Sequence, residues 1–422
     1  MKENRAPIDR HCPAAEADIG DRGTAHQLEK WLLGKFLDAM GTPPLRVTLW
    51  DGQVVETASD APVGMVIHER ISLWKLIINP LLYFGEEYSA GRIDVQGPLA
   101  SFIETVYRAG APRRYPLASK PDAHRRRQSR TNTLSGSRDN IHQHYDIGND
   151  FYCLWLDWNM VYTCAYFPHP ATSLEEAQIA KMDLVCRKLR LNPGQTVVEA
   201  GCGWGSLARH MARRYGVKVR AFNISGEQVA YARERAASDG LSGQVEYIEE
   251  DYRNITGSYD AFVSVGMLEH VGPDHYRELG EVIRRTLKPE GTGLIHTIGQ
   301  NVAEPMGPWL LKYIFPGGYP PTLREMMEVF EPWGFSVLDV ENLRLHYART
   351  LEHWLERFEQ NAERIRRRFD DRFVRMWRLY LSGSIANFNV GNLQLFQVLF
   401  ARATNNFVPW TRSHLALTGG ET

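Results

Sequence analysis

The pattern of apolar and polar positions divides the chain into two regions. Between about residues 26 and 110, predicted helices alternate with short strand-like runs such as LRVTLWDG and PVGMVIHE, which predicts a small α+β domain. The polar residues 1–25 before it are predicted to be flexible. Residues 111–137 are rich in Pro, Arg and Ser, a composition that does not support a packed core, and they predict a linker.

In the second region, strand-like and helical patterns alternate regularly. In order, they are a helix at Leu174–Leu189, the strand QTVVEAG, a helix from Ser206, the strand VKVRAFN, a helix from Ser225 to about Ala237, the strands VEYIEED and YDAFVSVG, a helix at Pro273–Leu287 and the strand GLIHTIG. Such alternation is typical of a doubly wound parallel sheet. We therefore expect an α/β domain over residues 138–415.

After the strand-like run FSVLDVENL, one long helix is predicted from about Thr350 to Tyr380. Its apolar residues are spaced by three and four positions and so form one stripe: Trp354, Phe358, Ile365, Phe369, Phe373 and Trp377. Packing of this stripe on the protein core is favoured over contact with lipid.

Composition and charge narrow the classes of function. A hydrophobic content of 43% and a formal net charge of -1 indicate a globular protein with no overall signal for nucleic acid. A local cluster from Arg108 to Arg138 holds nine Lys or Arg residues against Asp122 alone, so it could attract anionic lipid head groups, with a solvated linker as the simpler interpretation. The most apolar stretch, Ile71 to Phe84, is too short and too interrupted to span a bilayer.

The cysteines indicate neither a disulfide framework nor a metal site. They number five and form no CxxC pair. The N-terminal sequence also has no apolar signal-peptide core, so we expect a cytoplasmic protein.

The sharpest local motif is the run VVEAGCGWG, from Val197 to Gly205, in which a buried strand opens into three alternating glycines before a helix. Glycine lets the backbone approach a ligand closely, and the helix N-terminus supplies N–H groups. The spacing differs from the dinucleotide fingerprint, and Asn223 stands where that fingerprint has an acid. The motif therefore favours an adenosyl ligand over NAD or FAD, with a purely structural turn as the alternative.

Four further motifs flank this turn: HxHYDIGNDFYxLWLD at 142–157, MVYTCAYF at 160–167, GMLEHVG at 266–272 and LIHTIG at 294–299. With them, the chain resembles the bacterial cyclopropane fatty acid synthases and mycolic acid methyltransferases over about residues 138–410, and more faintly in the N-terminal domain. The resemblance implies a class I, Rossmann-like, S-adenosylmethionine-dependent methyltransferase with a smaller N-terminal domain that contacts lipid.

The resemblance also implies which residues bind S-adenosylmethionine. They are Tyr162, Thr163, Val197, Glu199, Gly201, Cys202, Gly203, Trp204, Gly205, Asn223, Gln228, Asp251, Tyr252 and Arg253. Amides of the turn would face the methionine carboxylate, Asn223 and Gln228 would bond ribose hydroxyls, and Asp251 would reach the adenine amine.

For the chemistry, the family holds a bicarbonate ion beside the reacting methyl group. The matching positions are Cys164, Glu269, His296, Ile298 and Tyr347. Methyl transfer to an alkene leaves a carbocation on the acyl chain, and loss of a proton from the new methyl group closes a cyclopropane ring, so a base is required. Glu269 would orient the bicarbonate.

The implied substrate is an unsaturated phospholipid acyl chain, met at the inner face of the membrane by a peripheral enzyme; a homodimer is compatible with the sequence. Two alternatives stay open: a methyltransferase that makes methyl-branched chains or methylates another small or lipid substrate, and a catalytically silent lipid-binding protein. One position departs from the family, because Ser384 stands where many members have cysteine. A role that requires a thiol there is therefore in doubt.

Overall fold

The computed structural model describes residues 24–114 and 147–415. The predictions for residues 1–23, for most of the linker and for the first residues of the motif that begins at His142 lie outside these ranges. Within them, no helix combines the length and the apolar character needed to cross a membrane.

The N-terminal region is a four-stranded sheet covered by four helices. Its elements are α1 (Gln27–Ala39), β1 (Leu45–Thr48), β2 (Val54–Glu56), β3 (Val63–Ile67), α2 (Arg70–Ile78), α3 (Pro80–Ser89), β4 (Ile93–Gln96) and α4 (Leu99–Arg114). The sheet order is β2-β1-β3-β4. The apolar stretch at 71–84 forms two helices rather than one, because Pro80 starts α3 and the Asn79 side chain accepts a hydrogen bond from the Leu82 backbone N–H (3.2 Å).

The second region begins with two helices that lead into the alternating pattern. Its elements are α5 (Asn149–Tyr152), α6 (Leu174–Leu189), β5 (Thr196–Ala200), α7 (Ser206–Tyr215), β6 (Lys218–Asn223), α8 (Gly226–Ser238), β7 (Val245–Glu249), β8 (Tyr259–Val265), α9 (Leu268–Val271), α10 (Tyr276–Thr286), β9 (Leu287–Gly299), α11 (Pro308–Tyr313), α12 (Leu323–Phe330), β10 (Phe335–Asn342), α13 (Arg344–Gln360), α14 (Ala362–Arg368), α15 (Asp371–Val390) and β11 (Gln394–Arg402). The α6 bounds are those predicted, and a capping box of Ser173 and Glu176 fixes its start.

The seven strands of this region form one sheet in the order β10-β11-β9-β8-β5-β6-β7. From β9 to β7 neighbouring strands are parallel, and β11 runs antiparallel to both β9 and β10. Adjacent residues such as Val197 and Val198 belong to different hydrophobic clusters, so both faces of the sheet are buried. The predicted doubly wound α/β sheet is confirmed.

The single long helix predicted from Thr350 to Tyr380 is wrong, because three helices occupy this stretch. Asn361 ends α13, and its side chain donates a hydrogen bond to the backbone carbonyl of Leu154 (2.9 Å). Asp370 then caps α15 by accepting from the Phe373 N–H (2.6 Å). The spacing of the apolar residues by three and four positions continues across these breaks. It does not reveal them, because polar capping residues replace the backbone hydrogen bonds that are lost at each helix end.

The two regions pack against each other. Helix α15 contacts α3 and α4, and one hydrophobic cluster contains residues of both regions, such as Leu37, Phe102 and Trp377. Ion pairs also link the regions: Arg375 with Asp94 at 2.8 Å, and Lys312 with Glu86 at 2.6 Å. Helix α4 runs to Arg114 and so includes the first residues of the predicted linker.

Candidate active site

The three glycines between β5 and α7 have different structural roles. Gly201, Gly203 and Gly205 all have positive φ values, of 82°, 52° and 79°, which glycine adopts without strain. A Cβ on Gly203 would meet open space, so a ligand could approach that side of the backbone, whereas a Cβ at Gly205 would collide with the ring of Tyr247. The glycine at 205 is therefore needed for packing.

A cavity of about 120 Å³ opens beside this turn. It is lined by nine of the predicted cofactor residues: Tyr162, Thr163, Glu199, Gly201, Cys202, Gly203, Trp204, Asn223 and Gln228. Val197 is instead buried in the sheet core. The Asn223 side chain donates to the Gln228 side chain (2.7 Å) and to the Gly203 carbonyl (3.3 Å), which holds both amides at the cavity wall.

Asp251, Tyr252 and Arg253 follow β7 but lie outside the lining of this cavity. The Arg253 guanidinium donates to the Asp251 carboxylate (2.8 Å), and the ring of Tyr252 packs in the hydrophobic cluster on one face of the sheet. The backbone N–H of the preceding residue, Glu250, donates to the Asn223 carbonyl (3.0 Å), so these three residues lie beside the cavity wall without lining it.

Two buried ionisable side chains lie in the cavity wall. Lys181, on α6, donates to the Thr163 hydroxyl (2.8 Å), and burial lowers its pKa to about 8. Burial raises the pKa of Glu199 to about 8, with nearby Lys181 acting in the opposite direction. One carboxylate oxygen of Glu199 is buried without a hydrogen-bond partner. Sequence reasoning missed Lys181, whose only signal was a lysine among the apolar positions of α6.

Glu269 of α9 is hydrogen-bonded to strand β9. The Glu269 Oε1 accepts a hydrogen bond from the Ile298 backbone N–H (2.6 Å), while its Oε2 is buried without a hydrogen-bond partner. Burial raises the pKa of Glu269 to about 7, although the bond from Ile298 favours the charged form. A substantial fraction of this carboxyl is therefore protonated near neutral pH.

His296 lies two residues before Ile298 on β9 and pairs with Gln397 of β11. The Gln397 amide Nε2 lies 3.0 Å from His296 Nδ1, and the two residues are directly opposite in the antiparallel ladder. Burial holds the pKa of His296 well below its usual value, and Lys181 and Lys188 act in the same direction. With Nδ1 as an acceptor, the neutral ring carries its proton on Nε2, which is buried without a hydrogen-bond partner.

Gln397 was not among the predicted site residues. The signal that could have found it is a glutamine within the apolar run QLFQVLF, because a buried amide requires a polar partner.

Cys164 and Tyr347 both contact the backbone carbonyl of Leu343. The Cys164 thiol lies 4.0 Å from the Leu343 carbonyl oxygen, which also accepts a hydrogen bond from the Tyr347 backbone N–H (3.2 Å). Burial raises the pKa of the Cys164 thiol, so it is neutral. The ring of Tyr347 packs against Phe388, with centroids 4.7 Å apart.

A larger cavity of about 370 Å³ lies between the N-terminal helices and α15. Residues of both regions line it, among them Phe36, Leu76, Phe84, Phe102, Trp309, Leu310 and Leu379, with Ser384 and Asn387 as polar exceptions. Tyr380 lines this cavity and Tyr162 lines the smaller one, and their hydroxyl oxygens are 2.8 Å apart. One hydrogen bond thus joins the walls of the two cavities.

The sheet order and the glycine turn at the end of its first strand define a class I methyltransferase fold. Residues 132–398 match the family model "Mycolic acid cyclopropane synthetase", and residues 32–112 match "Domain of unknown function (DUF7884)". The chain belongs to the mycolic acid cyclopropane synthetase family, and it is a methyltransferase of the cyclopropane synthase type.

Individual relatives agree with this assignment. The cyclopropane-fatty-acyl-phospholipid synthase of Escherichia coli K12 is 40% identical over 328 residues, which cover 77% of this chain and 84% of that protein. A probable fatty acid methyltransferase of Pseudomonas putida is 34% identical over 383 residues, covering 88% and 96%. The structure of the cyclopropane synthase MmaA2 from Mycobacterium tuberculosis is similar with a TM-score of 0.60 and 30% identity, covering 63% and 98%.

Proposed function

We propose that this enzyme adds a methylene group from S-adenosylmethionine across the cis double bond of an unsaturated phospholipid acyl chain. The observation that carries the proposal is the pair of cavities, one with polar and charged groups in its wall and one almost entirely apolar, whose walls meet at the Tyr162–Tyr380 hydrogen bond. A methyl donor in the first and an acyl chain in the second would meet near this contact. The name of the Escherichia coli relative supports the same substrate.

The smaller cavity has the chemistry of an S-adenosylmethionine site. When bound, this cofactor would supply an electrophilic methyl group. The partnerless oxygen of Glu199 suits an ammonium group, and the linked amides of Asn223 and Gln228 suit ribose hydroxyls. The open side of Gly203 leaves room for a ligand against the backbone. A structure of the mycolic acid cyclopropane synthase CmaA1, 30% identical to this chain with a TM-score of 0.59, was solved with SAH.

Ring closure requires that a proton leave the transferred methyl group, and we propose that a bicarbonate ion accepts it. His296 would donate to this anion from Nε2, and the protonated form of Glu269 would donate from Oε2. Both atoms are buried without a hydrogen-bond partner, which is unfavourable unless a ligand satisfies them. The family resemblance adds Cys164 and Tyr347 to the wall of this proposed site.

The larger cavity would hold the acyl chain while the head group stays outside. Its lining is mostly aliphatic and aromatic, which suits a hydrocarbon chain and excludes water from the reacting double bond. The enzyme would then work as a cytoplasmic, peripheral protein at the inner face of the membrane.

Product analysis tests the proposal directly. Expression in a bacterium that is rich in monounsaturated phospholipid and lacks its own synthase should yield acyl chains heavier by one methylene. Proton NMR of the purified lipid should show the upfield methylene signals of a cyclopropane ring. Unchanged fatty acids, from a protein that binds S-adenosylmethionine in calorimetry, would contradict the proposal.

A methyl-branched acyl chain is the second candidate product. The name of the Pseudomonas putida relative favours it, because that name specifies a methyltransferase and no ring. Both products start with the same methyl transfer, and the same NMR spectrum separates a terminal branch methyl from a ring methylene.

A further inference from the structure

The side chain of Lys181 is buried in the wall of the smaller cavity without an ionic partner. The residue is 2% exposed, and its ammonium nitrogen donates to the Thr163 hydroxyl at 2.8 Å. An ammonium group has three donors, and among the residues that the structure describes Lys181 makes neither a second hydrogen bond nor an ion pair. A buried charge without a partner is unfavourable, so its position in a cavity wall indicates a ligand.

Lys188, two turns further along α6, shows how this chain satisfies a buried ammonium group within the protein. It is 1% exposed, and it pairs with Glu341 at 2.6 Å and with Asp339 at 3.7 Å. It does not line the smaller cavity. The same helix thus has one lysine whose charge the protein's own carboxylates compensate, and one, Lys181, whose charge is presented to a cavity.

The acidic side chains near Lys181 do not pair with it. The Asp157 carboxylate accepts hydrogen bonds from the backbone N–H groups of Asn159 (3.0 Å) and Val161 (2.8 Å). Glu199 lines the same cavity, and one of its carboxylate oxygens is buried without a hydrogen-bond partner. Burial lowers the pKa of Lys181 to about 8, while Asp157 and Glu199 favour its charged form, so the amine is largely protonated at neutral pH. The cavity wall therefore offers a cationic and an acidic group that are not paired with each other.

Helix α6 also holds the chain segment beside Lys181 in place. Gln178, one turn before Lys181, donates to the backbone carbonyls of Thr163 (2.9 Å) and Val161 (3.4 Å). The Thr163 hydroxyl accepts from Lys181 and donates to none of the residues that the structure describes, so its hydrogen is available to a ligand. An ammonium and a hydroxyl donor thus lie side by side in the cavity wall, which suits the two oxygens of a carboxylate.

We propose that Lys181 is a cofactor-binding residue that pairs with the carboxylate of the methionine part of S-adenosylmethionine, with Thr163 as the second donor. The inference rests on the proposed function, which assigns this cofactor to the smaller cavity. The amino acid end of the cofactor has one ammonium and one carboxylate group, and Glu199 and Lys181 match both. Bicarbonate is an anion of the same chemistry, but Glu269 and His296, which are proposed to hold it, do not line this cavity.

The test uses the full chain and compares two ligands in calorimetry: S-adenosylmethionine and its decarboxylated analogue, which keeps the ammonium and the sulfonium groups. Wild type should bind S-adenosylmethionine more tightly by roughly tenfold or more, because only this ligand gives Lys181 a charged partner. Lys181→Met removes the charge and keeps most of the side-chain volume. It should weaken S-adenosylmethionine binding by roughly 10- to 100-fold and leave the affinity for the analogue within about threefold of wild type.

Two further variants are the controls. Lys188→Met removes a buried lysine from the same helix, and it should leave the ratio of the two affinities unchanged because Lys188 pairs with Glu341 outside the cavity. Glu199→Gln should weaken the binding of both ligands, since both have the ammonium group. The ratio of the two affinities therefore separates a contact with the carboxylate from a general disturbance of the cavity.

Equal affinities of the wild-type protein for the two ligands would overturn the inference, and this measurement needs no variant. So would an equal loss of affinity for both ligands in Lys181→Met, because the lysine would then have a structural role. A Lys181→Met variant with wild-type affinity for S-adenosylmethionine and a higher bicarbonate requirement in turnover would also overturn it, since the ammonium would then bind bicarbonate. A wild-type protein that binds neither ligand would instead contradict the proposed function, which places the cofactor in this cavity.

Discussion

The two cavities of this enzyme are built on different principles. The smaller one lies at the end of β5, where one stretch of sequence supplies its glycines and several of its polar groups. The larger one is assembled from helices of both regions, with residues as far apart in sequence as Phe36 and Asn387. A site made by a local motif is readable from sequence, whereas a site made by packing between distant elements is not. We therefore predict that a substitution in one cavity leaves the binding affinity for the ligand of the other cavity unchanged.

The largest effect is expected where the reaction would take place. Glu269→Ala or His296→Ala should lower kcat by about 10²- to 10⁴-fold, the range of general acid and base catalysis, while S-adenosylmethionine affinity stays near wild type. Glu269→Gln should recover part of the rate, because an amide can still donate a hydrogen bond. The control His275→Ala, whose half-buried ring pairs with Glu278 near the surface, should have no effect on kcat. Wild-type rates in both alanine variants would contradict the bicarbonate site.

The pH dependence gives a second measure of the same carboxyl. Because burial raises the pKa of Glu269 to about 7, its proton is lost as the pH rises through that value. We expect kcat to decline above about pH 7 and the Glu269→Gln variant to lack this decline. If wild type and the Glu269→Gln variant showed the same dependence of kcat on pH, the decline would come from another titrating group.

An effect on the cofactor alone is expected from Glu199→Gln. A bound ammonium group would favour the ionised form of Glu199, and loss of that charged hydrogen bond should weaken S-adenosylmethionine binding by roughly 10- to 100-fold in calorimetry. Glu246→Gln, on strand β7 of the same sheet, is the matched control, since its carboxylate pairs with Arg220 at the surface. Equal losses of S-adenosylmethionine affinity in both variants would contradict the assignment of Glu199 to the cofactor site.

A smaller effect is expected from Gln397→Glu, which replaces the donor to His296 Nδ1 by an acceptor. The ring should then carry its proton on Nδ1, visible in ¹⁵N NMR of the histidine, and kcat should fall by about tenfold. Gln394→Glu on the same strand is the control, because Gln394 bonds to Asn342 and Gly391 instead. A wild-type ring already protonated on Nδ1 would show that Gln397 does not set the tautomer.

The smallest effect is expected from Ser384→Cys in the larger cavity. The change restores the residue typical of the family and adds little volume, so turnover and product should change by less than about twofold. Ser384→Phe, which fills the cavity, should raise KM for lipid and leave S-adenosylmethionine affinity unchanged. A shift between ring and branched product in the cysteine variant would give this position a chemical role.

The sequence predicted the sheet well because each strand and helix carries its own pattern. Leu174–Leu189 was predicted to the residue, since a capping box marks its start. Strand β11 was not predicted, because a continuous apolar run does not distinguish a buried strand from a buried helix. Lys181 and Gln397 were missed for a related reason: their importance depends on Thr163 and His296, which the fold brings beside them.

The packing of α4 on α15 also has a consequence for how the chain is made. A ribosome finishes α4 at Arg114 about 260 residues before it begins α15 at Asp371. At roughly 5–20 residues per second, the apolar surface of the N-terminal helices waits for its partner for a time on the order of ten seconds to a minute. During that interval the nascent chain would be prone to aggregation, so chaperone demand is expected to fall on its first hundred residues.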